Sequence, residues 1–195
     1  MITLIVLAAG KSTRMEGRNK LLAEVQGKPM IKRVVEAALG SKVDEIIVVL
    51  GWDEGRVRKV LADLPCRLIV NREFEKGQSS SLKAGLDKVD PSSAAVLVLP
   101  GDIAKIDSRS IDKVVNSYIR HGGTIWVAAH NGRHGHPILI DKRLFNEIAQ
   151  ITEETHGLKS MIKKHKIEIR LVEVDTDIVL RDVDTPEDLH RLTST

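Results

Sequence analysis

Ile2-Thr3-Leu4-Ile5-Val6-Leu7 is an uninterrupted apolar run near the start of the chain, and Ala8-Ala9-Gly10-Lys11-Ser12-Thr13-Arg14 comes directly after it. The run has the length and the β-branched content of a buried strand, so we predict a strand there. After it the side chains become small and then cationic. Small residues let the backbone approach a ligand closely, and successive backbone N–H groups can then bind one anion. The stretch therefore predicts an anion-binding loop at the end of a buried strand.

Two common phosphate-binding loops do not fit this stretch. A P-loop ends in Gly-Lys-Ser, as Gly10-Lys11-Ser12 does, but it also requires a glycine five positions before Gly10, where Ile5 stands. The pattern G-x-G-x-x-G is also missing, because no glycine comes after Gly10 at the required spacing. Arg14 and Lys20 nevertheless place two positive charges beside the predicted amides, as a triphosphate would require.

Buried strands alternate with amphipathic helices along the rest of the chain. Further strands are predicted at residues 45–50, 68–70, 94–99, 124–129, 137–140 and 167–174. Helices are predicted from Pro29 to Gly40, from Asp53 as a cap to Leu64, around 111–119, from Asp141, over 157–166 and from Pro186. This alternation predicts an α/β fold with a mostly parallel, doubly wound sheet and helices on both faces. In such sheets ligands bind beyond the carboxyl ends of the strands, where Gly10 and Asp102 both fall.

Composition bears on the number of domains and on a nucleic-acid partner. The 195 residues are 42% hydrophobic and 29% charged, and no linker or repeat divides them, so we predict a single domain over residues 1–195. The 30 basic and 27 acidic residues nearly balance, and only two Trp, one Tyr and two Phe are present. A dense basic stripe with interleaved aromatic residues is therefore missing, which argues against a nucleic-acid partner.

Cysteine content and hydropathy indicate the cellular compartment. Cys66 is the single cysteine, so an intrachain disulfide and a thiolate metal cluster are both excluded. No apolar run approaches the length of a membrane span, and no basic segment with a cleavable apolar stretch precedes the first strand. We therefore expect a cytoplasmic protein without a membrane partner. The sequence does not predict its oligomeric state.

The pattern from Leu7 to Met15, with Lys20 five residues further on, resembles the signature L-A-A-G-x-S-x-R-M of the MobA/MocA-like nucleotidyltransferases. This family is of the molybdenum cofactor cytidylyltransferase type and belongs to the wider group of nucleotide-diphospho-sugar transferases. Further similarity lies near Asn71, Asp102, His136 and Asp184. The resemblance implies a three-layer, Rossmann-like sheet with a small antiparallel part. It also implies a Mg²⁺-dependent enzyme that transfers a nucleoside monophosphate to a phosphorylated small-molecule acceptor, molybdopterin first, and releases pyrophosphate.

The resemblance also implies roles for individual residues. Asp102 and Asp184 are the predicted metal ligands, and His136 is the predicted contact of the acceptor. Arg14, Lys20 and Asp102 are the predicted catalytic residues. The predicted nucleotide-binding residues are Leu7, Ala8, Ala9, Gly10, Ser12, Arg14, Lys20, Asn71 and Ser80.

Two of these assignments can also be weighed from the residues themselves. Asp102 comes directly after a buried strand and a Pro-Gly turn, and carboxylate oxygens there suit Mg²⁺, although Asp102 could instead cap the next turn. Thr185 to Asp188 form an ordinary helix start, with Thr185 as the cap and Pro186 in the first turn. That helix start does not account for Asp184, which precedes the cap.

The donor and the acceptor both stay open at this point. Leu7-Ala8-Ala9-Gly10 accompanies cytidine nucleotides in this family, and L-A-G-G accompanies guanosine nucleotides, so CTP is favoured over GTP. Glu16 and Ile103-Ala104 depart from the family pattern. Glu154-Thr155 stands where the cytidylyltransferases carry Gly-Asp, a departure that concerns the acceptor. A sugar-1-phosphate nucleotidyltransferase and a non-catalytic nucleotide-binding regulatory module are the alternatives.

Overall fold

A computed structural model describes residues 1–15 and 17–193. Glu16, one of the departures from the family signature, lies outside the described residues. The strands are β1 (Ile2–Ala8), β2 (Glu24–Val25), β3 (Lys28–Pro29), β4 (Glu45–Leu50), β5 (Arg67–Val70), β6 (Ala95–Pro100), β7 (Ile125–His130), β8 (Arg133–Asp141) and β9 (Ile169–Glu173). The α-helices are α1 (Met30–Leu39), α2 (Glu54–Val60), α3 (Gln78–Leu86), α4 (Ser108–His121), α5 (Phe145–Ile148), α6 (Gly157–Lys164) and α7 (Pro186–Thr193). Short 3₁₀ turns lie at Lys20–Leu22, Phe74–Lys76, Lys142–Leu144, Lys166–Glu168 and Asp177–Leu180.

The main sheet has the strand order β5-β4-β1-β6-β8-β7-β9 within the described ranges. Strands β1, β4, β5 and β6 pair in parallel, and β9 pairs in parallel with β7. Strand β8 lies antiparallel to both β6 and β7. The prediction of a mostly parallel sheet with a small antiparallel part is therefore confirmed.

Helices cover both faces of the sheet. Alternate side chains of β1 point to opposite faces, so Leu4 and Val6 join the core under α1, α2 and α4, whereas Ile5 joins the core under α3, α5 and α6. These side chains are almost wholly buried. The three-layer α/β prediction is thereby confirmed.

The strand order places the functional edge. After β1 the chain first builds β4 and β5 on one side, and it then crosses to build β6 on the other side of β1. The ends of β1 and β6 therefore flank the point where the winding reverses, which is where open α/β sheets bind ligands. Gly101 donates its backbone N–H to Leu7 O at 2.9 Å and so ties the two strand ends together.

Local details differ from the sequence predictions in three places. Helix α1 begins at Met30, with Pro29 outside it as the N-cap residue rather than in the first turn. Asp53 stands at the N-cap of α2, but its side chain does not cap the helix; it binds Arg56 and Asn19 instead. Helix α3 falls in a polar segment without apolar periodicity, where the sequence analysis places no helix.

The helix start near Asp184 is as predicted. The Thr185 side chain accepts from the Asp188 N–H at 3.2 Å, and the Asp188 carboxylate accepts from the Thr185 N–H at 3.0 Å. This reciprocal pair is a capping box. In the described ranges no helix is both long enough and apolar enough to cross a membrane.

Candidate active site

Three side chains meet at the ends of β1 and β6. The Lys20 ammonium lies 2.6 Å from Asp102 Oδ2 and 2.9 Å from Asp184 Oδ1. Asp102 lies just beyond β6, and Val183 donates its N–H to Asp102 O at 3.2 Å, which brings the C-terminal segment and Asp184 beside the sheet. The three residues predicted from separate parts of the sequence therefore form one charged cluster.

The charges of this cluster are strongly coupled. Partial burial alone would lower the pKa of Lys20, but the Asp102 carboxylate and then Asp184 outweigh it, so the pKa is raised above 10.5. Burial would raise the pKa of Asp184, but Lys20 and Arg14 lower it below 3.8. Lys20 and Asp184 are therefore charged at neutral pH.

The loop after β1 completes one wall of the cluster. Arg14 Nη1 lies 2.8 Å from Asp184 Oδ2, and the Arg14 side chain is 65% exposed, so its guanidinium remains available to a ligand. Ser12 lies in the left-handed region at φ 52°, and its Oγ accepts from the Lys20 N–H at 3.2 Å. The loop and the 3₁₀ turn that carries Lys20 thus hold each other in place.

A cavity of about 390 Å³, called here the first cavity, opens between this loop and the start of α3. The charged cluster lines one end, and Phe74, Gly77 and Gln78 line another part. Of the predicted nucleotide-binding residues, its lining includes Leu7, Ala9, Gly10, Ser12, Arg14 and Lys20.

Three of the predicted nucleotide contacts do not line the first cavity. Ala8 is buried in the core. Asn71 is also buried, and its amide donates to the hydroxyls of Ser80 and Ser81 at 2.8 and 3.1 Å. Ser80 donates in turn to backbone carbonyls at Glu73 and Gly77. Ser81, rather than Ser80, lines the cavity. Asn71 and Ser80 instead hold the start of α3 in place through their hydrogen bonds.

The Asp102 carboxylate has the properties of a cation ligand. Its Oδ1 atom is buried and has no hydrogen-bond partner among the described residues, while Oδ2 binds Lys20. A buried oxygen without a partner is costly unless a cation or a donor meets it. No group of three or more His, Cys, Asp or Glu side chains in the described ranges could hold a metal ion. Asp102 and Asp184 therefore fit an ion whose other ligands are phosphate oxygens and water.

A second cavity of about 460 Å³ adjoins the first, and Leu7 and Gln78 line both. The second cavity lies between the sheet and the helices α3 and α6. Aliphatic side chains form its walls, and polar groups from Gln78, Ser79, His134, His136, Glu153, His156 and Lys159 reach into it. Two adjoining cavities can hold two substrates side by side.

His136, the predicted acceptor contact, lines the second cavity on β8. Burial lowers the pKa of His136 to about 4, and Lys159 adds to this effect while Asp182 opposes it. The imidazole is therefore neutral at pH 7 and can donate at one nitrogen and accept at the other. Its Nδ1 is buried without a hydrogen-bond partner in the described part of the chain.

The segment between α5 and α6 lines the second cavity; the sequence analysis connected its Glu154-Thr155 with the acceptor but did not predict the contact of Glu153. Glu153 Oε1 accepts from the Ser79 N–H at 2.6 Å, in the first turn of α3. Gly77 has φ +92°, and a Cβ there would lie 2.3 Å from Glu153 Cγ. A Cβ on Gly157 would lie 2.4 Å from Ser79 Oγ. Only the two glycines allow this close approach, but no local sequence pattern connects positions so far apart.

Comparison with known proteins identifies the family. The profile of the MobA-like NTP transferase domain matches residues 4–169. The chain belongs to this family. The resemblance inferred from the signature around Gly10 is confirmed, and with it the prediction of a nucleotidyltransferase.

Individual relatives show how the family varies. The chain is 34% identical over 163 residues to the bifunctional protein GlmU of Thermotoga petrophila, covering 80% of this chain and 36% of GlmU. It thus spans about a third of the length of the GlmU proteins it matches. It is also 26% identical to nicotine blue oxidoreductase of Paenarthrobacter nicotinovorans, over 98% of this chain and 96% of that protein.

A solved structure matches the whole fold. Rv0371c of Mycobacterium tuberculosis superposes with a TM-score of 0.86 at 26% identity, covering 100% of this chain and 97% of Rv0371c. A second structure of Rv0371c, in complex with manganese, has a TM-score of 0.82 at 25% identity and covers 100% and 98% of the two chains. A divalent cation therefore binds at least one protein of the same fold.

Proposed function

We propose that the protein transfers CMP from CTP to a phosphorylated small-molecule acceptor, molybdopterin, with Mg²⁺ as cofactor and pyrophosphate as the second product. The observation that carries the proposal is the cluster of Arg14, Lys20, Asp102 and Asp184 at one end of the first cavity, beside a second cavity of similar size. The cluster suits a triphosphate, and the second cavity can hold the acceptor. The match to the MobA-like NTP transferase domain supports this interpretation.

The reaction needs little covalent help from the protein. An oxygen of the acceptor phosphate forms a bond to the α-phosphorus of CTP, and the bond from that phosphorus to the bridging oxygen breaks, which releases pyrophosphate. The acceptor phosphate is already an anionic nucleophile, so positioning and charge neutralisation account for most of the catalysis. No base is required to remove a proton.

The residues of the loop and the cluster have distinct roles in this reaction. Backbone amides from Ala9 to Ser12 bind phosphate oxygens, and the exposed Arg14 guanidinium binds the negative charge that develops on the leaving group. Lys20 exchanges a carboxylate partner for a phosphate oxygen. Asp102 and Asp184 would hold Mg²⁺, which supplies charge neutralisation at the triphosphate when it is bound.

A sugar-1-phosphate nucleotidyltransferase is the second candidate. The similarity to GlmU over 80% of the chain favours it, as does the substitution of Glu154-Thr155 for the Gly-Asp of the cytidylyltransferases. The two candidates share the first cavity and differ only in what the second cavity accepts. They are therefore separated by the acceptor and not by the nucleotide.

The proposal is tested by measuring pyrophosphate release with CTP, GTP, ATP or UTP in turn, together with molybdopterin or N-acetylglucosamine 1-phosphate. We expect release with CTP and molybdopterin, and a nucleotidylated product of matching mass. Asp102→Asn should abolish release, because it removes a carboxylate charge from the cation site. Asp175→Asn is the matched control, since Asp175 is 94% exposed and pairs with Lys113. Equal release by parent and Asp102→Asn would contradict the assignment, and release with the sugar phosphate alone would favour the second candidate.

A further inference from the structure

Leu7, in β1, and Gln78, in the first turn of α3, line both cavities. Nucleotidyl transfer joins a ligand in one cavity to a ligand in the other by a single bond, so the reacting atoms must meet where the cavities adjoin. Of these two side chains only that of Gln78 is polar. Its amide group is therefore at the point where the structure brings the two substrates together.

Helix geometry explains why Gln78 reaches both cavities. Successive residues of an α-helix are turned by about 100° around its axis. Ser81 is therefore about 60° from Gln78 on one side, and Leu82 is about 40° from it on the other side. Ser81 lines the first cavity and Leu82 lines the second. Gln78 lies between them on the helix, so its place at the boundary follows from the direction of the helix face.

The backbone around Gln78 is held in place, whereas its side chain is not. The N–H of Ser79 donates to Glu153 Oε1 at 2.6 Å, and Gly77, at φ +92°, lets the Glu153 side chain approach closely. Gln78 itself is exposed, and its side-chain amide makes no hydrogen bond within the described residues. The fold thus positions a hydrogen-bond donor at the boundary without giving it a protein partner.

We propose that Gln78 is a catalytic residue whose side-chain amide donates a hydrogen bond to a non-bridging oxygen of the α-phosphate during transfer. The acceptor oxygen forms its bond to the α-phosphorus while the bond to the bridging oxygen breaks, and the electrons of that bond leave with pyrophosphate. No proton passes through Gln78. The inference rests on the proposed function, because it requires an acceptor in the second cavity, but it does not depend on which phosphorylated acceptor binds there.

A neutral amide suits this position between two anionic ligands. The charged cluster in the first cavity supplies the cations for the triphosphate, so a further charge is not needed at the α-phosphate. A carboxylate at the same place would repel both phosphates. A donor aimed at the oxygen where charge develops stabilises the transition state more than the bound substrates, and so it acts on the rate rather than on binding.

Gln78→Met tests this role, because methionine keeps the length of the side chain and removes the donor. Single-turnover measurements with the full chain in excess report the chemical step apart from product release. We expect the maximal rate constant to fall about 10-fold to 100-fold, while the protein concentration that gives half of it changes less than about threefold. Gln78→Glu should be slower still, because its carboxylate repels the phosphates.

Gln150→Met is the matched control, since Gln150 is exposed and lines neither cavity. It should keep the parent's rate constant. Both Met variants should unfold at the parent's urea midpoint, because each replaces an exposed side chain.

A second measurement detects the contact without turnover. The chain contains three glutamines, Gln26, Gln78 and Gln150, so the side-chain NH₂ signals of the ¹⁵N-labelled protein can be assigned with the two Met variants. The ligand is Mg²⁺ with an analogue of the nucleotide that supports transfer, CTP in the proposed function, with a methylene group between the α- and β-phosphorus. This analogue cannot react. We expect the Gln78 signals to shift when it binds and the Gln150 signals to stay.

Two results would overturn the inference: an unchanged rate constant in Gln78→Met, or Gln78 signals that do not move when the analogue binds. If CTP and molybdopterin react equally fast in the parent and in Gln78→Met, the proposed function stands and the role of Gln78 fails. If Gln78→Met is slow with another nucleotide or acceptor and CTP with molybdopterin does not react, the role stands and the proposed function fails. If no pair of substrates reacts, both fail.

Discussion

Lys20 lies between the carboxylates of Asp102 and Asp184, the two proposed cation ligands. Its ammonium is the cation that keeps Asp102 and Asp184 together, with distances of 2.6 and 2.9 Å and a lysine side chain only 15% exposed. Without a positive charge there, two partly buried carboxylates would repel each other. The Lys20 ammonium therefore acts as the counter-ion of both carboxylates.

Replacement of Lys20 by Met should lower the free energy of unfolding by about 1–3 kcal/mol in metal-free buffer, because the partners lose their charge-assisted bonds. Added Mn²⁺ should then stabilise the variant more than it stabilises the parent. Chemical denaturation with and without Mn²⁺ measures both effects. Lys113→Met, which breaks a pair with the exposed Asp175, is the control. Equal gains from Mn²⁺ in Lys20→Met and parent would show that the lysine and the ion do not compete.

Among individual residues, those at strand ends could be predicted from the sequence, and those that reach the site from distant segments could not. Asp102 and the Gly10 loop could be placed because each lies directly after an apolar run typical of a strand. Glu153 could not, because its importance comes from a backbone N–H on another helix, 74 residues away in the chain. The sequence also does not show which hydroxyl of a serine run faces the cavity, so it predicts Ser80 where Ser81 lines the wall.

Two glycines in helices show how closely each helix packs against the sheet. Helix α3 contains Gly85, where a Cβ would lie 2.7 Å from Ile5 Cγ2 on β1. Helix α2 contains Gly55, where a Cβ would meet nothing within 4 Å. The two glycines differ in their surroundings: Gly85 is tightly packed and Gly55 is open. The missing side chain of Gly85 allows α3 to approach the sheet closely, whereas Gly55 makes no close contact with another element.

The same substitution should therefore have opposite effects in the two helices. Gly85→Ala should destabilise the protein by about 1–3 kcal/mol through overpacking against Ile5. Gly55→Ala should stabilise it by up to about 1 kcal/mol, because alanine favours helix and no contact is disturbed. Thermal and urea unfolding of both variants measure the difference. Stabilisation by Gly85→Ala would mean that α3 can move away from β1 without cost.

The C-terminal end of α6 is held by a histidine between two carboxylates. His165 Nε2 lies 2.8 Å from Glu147 Oε2, and Nδ1 lies 2.7 Å from Glu168 Oε1. Hydrogen bonds to Glu168 and Glu147 raise the pKa of His165 above 6.5 in the folded state. Its stabilising contribution is therefore complete below the unfolded pKa and is lost as the pH rises through the folded pKa.

His165→Gln should accordingly lower the free energy of unfolding most near pH 6, and the loss should become progressively smaller toward pH 8.5. Free energies of unfolding of the parent and the variant across this range measure the effect. His134→Gln, an exposed histidine outside this cluster, serves for comparison. A difference that does not change with pH would show that the neutral imidazole makes the same contribution as the charged one.

Elements with a regular apolar pattern were predicted well, and those stabilised by polar contacts were not. Helices α1 and α4 follow the 3.6-residue spacing of their buried side chains. Helix α3 carries Ser79-Ser80-Ser81 in its first turn, and serine is a weaker helix former, so these residues owe their conformation to contacts with Asn71, Gly77 and Glu153. Tertiary contacts, rather than local propensity, determine where this helix begins.

The whole molecule should respond to nucleotide as a single cooperative unit, since one sheet carries both cavities. With Mg²⁺ and CTP at about one hundred times its Kd, ligand-linked stabilisation is about 2.7 kcal/mol. For a chain of this size that corresponds to a rise in Tm of about 5–10 °C. We expect CTP to raise Tm more than GTP, ATP or UTP does.

Arg14→Ala should reduce this rise in Tm, because Arg14 lines the first cavity and its guanidinium is exposed to a ligand. Arg18→Ala is the matched control, since Arg18 lies in the same loop but does not line the cavity. A uniform rise with all four nucleotides would contradict a preference for cytosine. The absence of any rise would contradict a triphosphate site in the first cavity.

At the scale of the fold, the alternation of strands and helices was sufficient to predict the fold class. It was not sufficient to predict that β8 would run between β6 and β7 against their direction. That insertion places His136 beside the segment around Asp182, and no pattern within β8 indicates its neighbours. Long-range pairing is a property of the whole sheet and is not visible in any window of the sequence.

The two cavities share Leu7 and Gln78 in their lining, and this common boundary has a consequence for the end of the catalytic cycle. A dinucleotide product would occupy both cavities at once, because a single covalent link joins its two halves. When one half dissociates, the bound half keeps the free half at a high effective concentration near its cavity. Such a product should leave slowly and inhibit the enzyme more strongly than either substrate alone. Turnover would then be limited by release of the dinucleotide, and a downstream acceptor that takes it directly would accelerate the enzyme.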